Sequence, residues 1–357
     1  MRVLHLTRDF PPTSAGGIST GVGWLARSMR AEGWPQAVAS FDGWRPRKQN
    51  DRVEDRGDVL RIQGRPFGAL RAFAERFGPD LCVVHDPLID RAVGPLPGRR
   101  LFFVHVDHRR LRELRGLEEP TTSERAMERA MAEADAVLAP SQALVDRLAR
   151  RGQGARRARL GVDPPPTGPV PQGDDVLHLG RLDRAKGTDL LLSALDGLPA
   201  PLLAGGLPHN PRAEARWREA WPEARWHGWL EPDERDALMR RAGLLAVPSL
   251  EETLGLVALE AQRLGLPVVA SDVGGLGEVL RDTGGGRLVP AGDGAALREA
   301  IVELSGDPDL RRALGERGRE AIAERWVWPA LRGEWSAALE APYGNSSVLV
   351  QPVGPAT

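Results

Sequence analysis

Short apolar segments alternate with longer amphipathic segments along most of this chain. The segment "RVLHLT" at residues 2–7 has the nearly continuous apolar character of a buried strand. In the segment that follows, "ISTGVGWLARSMRAEG", Val22, Leu25 and Met29 recur at helical spacing. Such alternation is typical of βαβ units, so the pattern predicts an α/β protein with parallel sheets.

The remaining elements follow the same alternation on both sides of a break. Before it, "DLCVVHD", "RLFFVHVD" and "AVLAPS" indicate strands, and "ERAMERAMAEAD" and "QALVDRLARRG" indicate helices. After it, the predicted strands are "VLHLGR", "APLLAGG", "ARWHGWL", "LLAVPS", "PVVASD" and "GRLVPAG".

The break at residues 161–175 contains five prolines and no apolar period, so it predicts a linker. We therefore expect an N-terminal domain over 1–165 and a C-terminal domain over 166–324. A final helix is expected over 325–340, followed by a tail over 341–357. A length of 357 residues agrees with two domains, because one ordinary core rarely holds so many.

Composition and charge exclude several classes of protein. A formal net charge of −1 creates no field that attracts nucleic acid, so no nucleic acid partner is expected. The N-terminal apolar run has about four residues, short of the ~7 to 15 of a signal peptide, and no run reaches the roughly 18 of a spanning helix. The single cysteine, Cys82, allows no internal disulfide. These features favour a cytoplasmic enzyme, and they leave peripheral contact with the inner membrane face open.

One of the chain's two lysines lies in "LGRLDRAKGTDLLLSAL", residues 179–195. A strand is predicted to end near Arg181 and a helix to begin near Thr188, so Arg181 and Lys186 flank a strand-to-helix turn. Arginine can bind phosphate through two nitrogens and lysine acts as a point charge, so the pair suits a diphosphate at the carboxyl edge of a parallel sheet. Taken alone, the motif is weak, and solvated surface charge explains it better because surface cations are common.

Two glutamates eight residues apart mark the segment "VPSLEETLGLVALEAQRLGLPVVASDVGG". Glu252 is predicted in a turn and Glu260 in the following helix, roughly 12 Å apart if both were helical, so they can hold two ends of one ligand. The helix amides between them attract phosphate, and Gly255 permits close approach. Sugar, diphosphate and ribose fit in that order. In the alternative, Glu251 and Glu252 are ordinary first-turn acids and Glu260 is a solvated helix residue.

These motifs together resemble the retaining glycosyltransferases of family 4, which are nucleotide-sugar enzymes with the GT-B fold. The resemblance rests on "GR" with "KG" five residues on, on "HGWL", and on "PSLEETLGLVALEAQRLGLPVVASDVGGLGEVL". In the first half, "RDFPPTSAGGISTGVGWLARSMRAEGW" resembles the family's glycine loop, and "VLAPSQALVDRL" and "RLGVDP" resemble the end of its first domain.

The resemblance implies two Rossmann-like, doubly wound domains that face each other across a cleft. It also implies that the final helix crosses back to the N-terminal domain. The bulky apolar stripe formed by Trp326, Trp328, Leu331 and Trp335 fits such a crossing. A terminal helix that covers only the second domain is the alternative.

The resemblance further implies roles for individual residues. Arg181 and Lys186 would hold the diphosphate, Glu252 the sugar hydroxyls and Glu260 the ribose. His105 would orient the donor sugar and complete the catalytic set with Arg181, Lys186 and Glu252. Backbone groups would complete the donor site at Gly17, Gly255, Leu256 and Val257.

Residues for the acceptor are expected at the ends of neighbouring strands in the first half. His85, Asp86, Asp107 and His108 face the same crevice there and form the expected acceptor site. The basic run "HRRLRELRG" at 108–116 suits an anionic or lipid-linked acceptor, or it forms a solvated helix face. The acceptor class, whether small molecule, glycan or lipid-linked compound, stays open, as does the oligomeric state.

The resemblance thus implies transfer of a sugar from a nucleoside diphosphate sugar to an acceptor hydroxyl with retention of anomeric configuration. No metal or other cofactor is expected, because the Asp-x-Asp sequence "DPD" at 307–309 has the pattern of a helix start. The segment "GGISTGVG" does not fit the G-x-G-x-x-G spacing of nicotinamide dehydrogenases. A different class remains as the alternative: a non-catalytic sugar-nucleotide or glycolipid-binding homologue that partners an active enzyme.

Overall fold

Two mainly parallel sheets organise the chain. The computed structural model describes residues 1–11, 16–41, 52–63, 67–89, 94–198, 202–205, 211–228 and 230–340. The first sheet has the strand order β3-β4-β2-β1-β5-β6-β7-β8, and the second has the order β11-β10-β9-β12-β13-β14. Among the described strands, only β3 and β4 pair antiparallel. The predicted α/β class is confirmed.

The first sheet and its helices lie before the proline-rich segment. The strands are Val3–Thr7 (β1), Gln36–Ser40 (β2), Arg52–Asp55 (β3), Val59–Gln63 (β4), Leu81–Val84 (β5), Arg99–Phe103 (β6), Ala136–Ala139 (β7) and Arg156–Arg157 (β8). The helices are Gly17–Ala31 (α1), Phe67–Phe77 (α2), His108–Leu114 (α3), Thr122–Glu133 (α4) and Gln142–Ala149 (α5).

The second sheet and the remaining helices follow. The strands are Asp175–Leu179 (β9), Leu202–Gly205 (β10), Arg225–Trp226 (β11), Ala242–Val247 (β12), Val268–Ser271 (β13) and Gly286–Val289 (β14). The helices are Thr188–Ala194 (α6), Pro211–Ala220 (α7), Pro232–Arg241 (α8), Leu256–Arg263 (α9), Gly274–Thr283 (α10), Gly294–Gly306 (α11), Pro308–Arg325 (α12) and Trp328–Glu340 (α13). A short 3-10 turn, Arg184–Lys186, precedes α6.

Several elements differ in extent from their predictions: the final helix begins at Trp328 and the strand predicted in "ARWHGWL" is only Arg225–Trp226. Two further differences concern the site. The strand predicted over 100–107 ends at Phe103, so His105 and Asp107 lie in the loop that leads to α3. The helix predicted from about residue 254 begins at Leu256, because Gly255 has a positive φ of 90° and stands outside the helix. The expected tail at 341–357 lies outside the described residues, as does the second lysine, Lys48.

The last helix packs on the first sheet. The ring of Trp335 is fully buried, stacks on Phe103 at 5.8 Å between centroids, and donates from Nε1 to the carbonyl of Arg159 at 2.7 Å. Trp328 meets Trp24 of α1 edge to face at 5.9 Å. The chain therefore returns to its first half after the second sheet is complete, and the alternative in which α13 covers only the second half is wrong. The domain boundaries at 165/166 and 324/325 stay predictions.

Cys82 lies in the interior of the first sheet. Its thiol is buried and donates to the carbonyl of Pro97 at 3.3 Å. Burial raises the pKa of this thiol to about 12, because the thiolate would lose its hydration. We interpret Cys82 as a packing residue.

None of the described helices is both long enough and apolar enough to cross a lipid bilayer.

Candidate functional site

Each sheet has one point where the chain's winding direction reverses. The reversal lies between β1 and β5 in the first sheet and between β9 and β12 in the second. Loops that leave the carboxyl ends of such strands form the ligand crevice of doubly wound proteins. The turn that carries Lys186 leaves β9, and the turn that carries Glu252 leaves β12, so both predicted motifs flank this reversal point.

The lysine turn, residues 180–187 between β9 and α6, is held in a fixed conformation. The carboxylate of Asp183 caps it by accepting from the Lys186 backbone amide at 2.9 Å. Gly187 has a positive φ of 71°, and a Cβ there would stand 2.0 Å from the carbonyl oxygen of Pro248, so no other residue fits. The Lys186 ammonium forms an ion pair with Glu252, whereas the Arg181 side chain is 45% exposed and lies 3.6 Å from Asp183. Interpreting Lys186 as a solvated surface charge is therefore wrong.

The glutamate turn, residues 248–255 between β12 and α9, packs directly on the backbone of two glycines. A Cβ on Gly274 would stand 2.0 Å from the Glu252 carbonyl oxygen, and one on Gly275 would stand 2.3 Å from that of Thr253. The Gly275 amide donates to the Glu252 carbonyl at 3.2 Å. The "VGG" that follows β13 thus fixes the backbone of the turn that presents Glu252. Because α9 begins only at Leu256, the interpretation of Glu251 and Glu252 as first-turn acids is wrong.

Glu260 lies inside α9 with only 9% of its surface exposed, so it is not a solvated helix residue. Burial raises the pKa of its carboxyl, and Arg235, at 3.1 Å, opposes that rise. Arg235 comes from α8, which the sequence motifs did not single out. Gly17, at the start of α1, approaches Leu256 at the start of α9, with 4.0 Å between its ideal Cβ position and the leucine Cδ1.

A cavity of about 320 Å³ is lined by residues from both halves of the chain, that is, from before and after the proline-rich segment at 161–175. Its lining includes the predicted His105 and Arg181, the predicted acceptor residues His85, Asp86 and His108, and also Arg8. Arg8 lies 3.4 Å from Asp86. Burial lowers the pKa of His108, against the opposing effect of Asp86 and Asp107. Five of the residues predicted from the sequence thus share one cavity.

Asp107 instead has protein partners at both carboxylate oxygens. Oδ1 accepts from Arg151 and from the Arg110 backbone amide, both at 3.0 Å, and Oδ2 accepts from Arg147 at 3.1 Å. Its side chain is fully buried. Burial alone would raise the pKa of this carboxyl, but the hydrogen bonds from Arg151, Arg110 and Arg147 together lower it below its usual value. These contacts favour a structural role.

Arg147 also joins the two halves. The same guanidinium that contacts Asp107 donates to Glu251 at 2.6 Å, next to the glutamate turn. Two further bonds cross nearby: Thr253 Oγ1 donates to the His105 carbonyl at 2.7 Å, and Ser141 Oγ donates to the Thr253 carbonyl at 2.7 Å. These hydrogen bonds therefore fix the position of the loop that carries His105 relative to the turn that carries Glu252.

Two family models match the chain in succession. The glycosyl transferase 4-like domain matches residues 16–166, and glycosyl transferases group 1 matches residues 164–321. The two matches meet within the proline-rich segment and together take in every described strand except β1, as well as the turns that carry Lys186 and Glu252. The chain belongs to the GT-B glycosyltransferases of family 4 type.

Relatives of this glycosyltransferase agree with that membership. A phosphatidyl-myo-inositol mannosyltransferase from Mycobacterium leprae is 34% identical over 207 residues, which cover 56% of this chain and 52% of that protein. The chain thus matches about half the length of this curated relative.

Solved structures share the fold along nearly the whole chain. Sucrose-phosphate synthase from Thermosynechococcus elongatus superposes with a TM-score of 0.76 at 23% identity, covering 95% of this chain and 98% of the other. Anabaena HepE in complex with UDP-glucose superposes with a TM-score of 0.73 at 18% identity, covering 95% and 99%. At these identities the likeness concerns the fold alone.

Several residues of this glycosyltransferase's site were missed by the sequence motifs. Arg147, Arg235 and Thr253 make their contacts over long sequence separations, and no local pattern marks them. Asp107 was assigned to the acceptor site, but the sequence also carried a signal for its structural role. An aspartate directly before a helical segment, three residues ahead of Arg110, has the spacing of a helix N-cap. Among the described residues, no group of three or more His, Cys, Asp or Glu side chains is arranged to hold a metal ion.

Replacing Asp107 with asparagine is expected to lower the free energy of unfolding by about 2 kcal/mol at pH 7, because two partly buried guanidinium groups lose their carboxylate. The folded-state pKa lies below the ordinary value of 3.8, so this stabilisation is present above that pH and is lost as the pH falls through the folded pKa. Urea unfolding at several pH values should therefore show the difference from wild type closing in acid. Asp163→Asn, at a carboxylate that is 59% exposed, serves as the control. Unchanged stability with a raised KM for the acceptor would instead support the acceptor role.

Proposed function

We propose that this protein transfers a sugar from a nucleoside diphosphate sugar to a hydroxyl of an acceptor, with retention of anomeric configuration. The observation that carries the proposal is the Lys186–Glu252 ion pair between the turns that follow β9 and β12. It places a cation and a carboxylate side by side at the reversal point of the second sheet. Such a pair suits a ligand with an anionic end and a hydroxyl-rich end.

The diphosphate would bind between the lysine turn and the start of α9. Lys186 would supply a compact positive charge, and Arg181, with its exposed guanidinium, would bind a second oxygen. The first amides of α9, at Leu256 and Val257, have no earlier turn of helix to bond and attract an anion. Gly255 lets the ligand approach this backbone.

The two glutamates would orient the ends of the donor. Glu252 accepts from Ser249 Oγ at 3.3 Å as well as from Lys186, and its carboxylate would accept from sugar hydroxyls. Glu260 would accept from ribose hydroxyls, and Arg235 at 3.1 Å supports its charged form. His105 would contact the sugar from the opposite half.

The chemical step would take place on one face of the sugar. The bond between the anomeric carbon and the phosphate oxygen breaks, the acceptor oxygen forms a new bond on the same face, and its proton passes to the departing phosphate. In this scheme the protein stabilises the leaving diphosphate through Lys186 and Arg181 and positions both substrates. The acceptor would occupy the cavity lined by His85, Asp86 and His108.

A panel of nucleotide sugars tests this proposal. UDP-glucose is included because the Anabaena neighbour was solved with it, and phosphatidyl-myo-inositol and myo-inositol are included as acceptors because the Mycobacterium leprae relative is named for that lipid. Transfer detected by mass spectrometry, with an NMR coupling constant that shows the donor's configuration kept, would support the proposal. Inversion would contradict retention. Nucleotide-sugar binding without transfer or hydrolysis across the panel would favour a non-catalytic homologue.

Substitutions of Glu252 and Glu260 are expected to weaken the binding of different ligands. Glu260→Gln should weaken binding of the free nucleoside diphosphate and of the sugar nucleotide about tenfold each, because both contain the ribose. Glu252→Gln should spare the free diphosphate and weaken only the sugar nucleotide. Titration calorimetry with both ligands measures the four constants, and each variant is the other's control. The same pattern in both variants would contradict the order of sugar, diphosphate and ribose.

A further inference from the structure

A row of four polar side chains, three of them buried, crosses the first sheet and ends at the cavity. Gln36 Oε1 lies 2.8 Å from His5 Nε2, His5 Nδ1 lies 3.0 Å from His85 Nε2, and His85 Nδ1 lies 2.8 Å from His105 Nε2. Gln36, His5 and His85 are at most 3% exposed. The last two members of the row, His85 and His105, line the cavity. The donor-site roles described above do not use Gln36 or His5.

The strand register explains why these side chains meet. His5 of β1 pairs with Val38 of β2, two residues after Gln36, and with Val83 of β5, two residues before His85. Diagonal neighbours of this kind lie on the same face of a sheet, within reach of long side chains. Each step moves one strand over and two residues toward the carboxyl edge. The row therefore begins at the amino end of β2 and ends at the cavity.

All three imidazoles are uncharged at neutral pH. Burial lowers the pKa of His5 to about 4 and that of His105 to about 3. Burial, with the two neighbouring histidines, also takes the pKa of His85 well below its usual value. Each ring therefore carries one proton, so it donates from one nitrogen and accepts at the other.

The amide of Gln36 sets the direction of the row. Its nitrogen faces two carbonyl oxygens, those of Trp34 at 3.3 Å and Pro35 at 3.2 Å, so its oxygen is the atom that faces His5. A carbonyl oxygen can only accept, so His5 must donate from Nε2 and accept at Nδ1. His85 must then donate from Nε2, and so must His105.

This direction leaves Nδ1 of His105 as an unprotonated acceptor. Within the described part of the chain, no protein group bonds that nitrogen. The ring itself is held in place: Thr253 Oγ1 donates to the His105 carbonyl at 2.7 Å, and the Phe103 ring lies 4.5 Å away between centroids.

We propose that Gln36 is a positioning residue that acts through His5 and His85 to fix His105 as its Nε2–H tautomer, so that Nδ1 accepts a hydrogen bond from a substrate hydroxyl. This inference rests on the proposed function for the identity of the substrate. The tautomer itself is a property of the protein without substrate. A hydroxyl-rich sugar matches an acceptor at this position, because every hydroxyl can donate.

The tautomer is measured directly by NMR of protein labelled with 15N-histidine, in which protonated and unprotonated ring nitrogens are well separated. A His105→Gln variant assigns the signals. We expect the wild-type spectrum to show His105 with a proton on Nε2 and none on Nδ1. A proton on Nδ1 would overturn the proposal, whatever the protein's activity and without any variant of Gln36.

Two variants of Gln36 test the action at a distance. Gln36→Met removes the acceptor and should give a mixture of tautomers at His105, three side chains away. Gln36→Glu keeps an acceptor for His5 and should keep the wild-type His105 signals. An unchanged His105 spectrum in Gln36→Met, with melting close to wild type, would overturn the proposal.

Activity tests the link to substrate once a donor is known. We expect Gln36→Met to lower kcat/KM about tenfold, the effect of one misdirected hydrogen bond, and Gln36→Glu to retain most of it. A changed tautomer with unchanged kcat/KM would overturn the substrate contact while leaving the proposed function intact. Failure of every donor in the panel would instead contradict the proposed function and leave the NMR result standing.

Discussion

Lys186→Ala is expected to slow sugar transfer by about 10²- to 10³-fold, a rise of roughly 2 to 4 kcal/mol in the barrier. The reason is that negative charge grows on the departing diphosphate, and Lys186 is a positive charge already held in place by the Asp183 cap and Gly187. Steady-state kcat with saturating donor, together with thermal melting, measures the effect. Arg181→Ala should lose activity in the same range.

The matched control for Lys186 lies in the same turn. Arg184 is an exposed cation two residues away, so Arg184→Ala changes the charge of the turn without changing the ion pair with Glu252. We expect this control to keep wild-type kcat within a few-fold. If Lys186→Ala turned over like wild type with unchanged melting, the assignment of the diphosphate to this turn would be wrong.

Trp335→Ala is expected to lower the free energy of unfolding by about 3 to 5 kcal/mol. The substitution removes a fully buried ring, its stacking on Phe103 and its hydrogen bond to the Arg159 carbonyl. Chemical denaturation followed by circular dichroism gives the value. Because Phe103 contacts His105, the variant should also lose activity before it unfolds.

Two control variants distinguish the packing of the Trp335 side chain from other contributions of α13 to stability. Trp335→Phe keeps the stacked ring and loses only the hydrogen bond, so it should lower the free energy of unfolding by less than half as much as Trp335→Ala. Arg332→Ala changes a side chain of α13 that is 54% exposed and should alter stability by less than about 0.5 kcal/mol. A loss below 1 kcal/mol for Trp335→Ala would show that α13 contributes little to the first half.

The parallel sheets and the two motif-bearing turns could be predicted because their signals are local. Continuous apolar runs marked the buried strands, and the carboxyl ends of those strands placed Lys186 and Glu252 on one crevice. The end of β6 was harder to predict, since "FVHVD" keeps an apolar pattern beyond Phe103, the last residue of the strand.

Contacts between distant segments could not be predicted in the same way. The pairing of Lys186 with Glu252 spans 66 residues, that of Arg147 with Glu251 spans 104, and that of His5 with His85 spans 80. A helical period places Glu260 in α9 but does not say that Arg235 lies against it. Such partners depend on how whole elements pack, and one sequence carries no direct record of that.

The buried thiol of Cys82 makes the molecule convenient for measuring motion. Because its pKa is about 12 and its side chain is buried, Cys82 offers maleimide reagents almost no thiolate at neutral pH. One surface cysteine introduced on each half would therefore carry a fluorophore pair over a low background of unwanted labelling. Energy transfer between the two dyes would then report, one molecule at a time, whether the distance across the crevice changes when a sugar nucleotide is added.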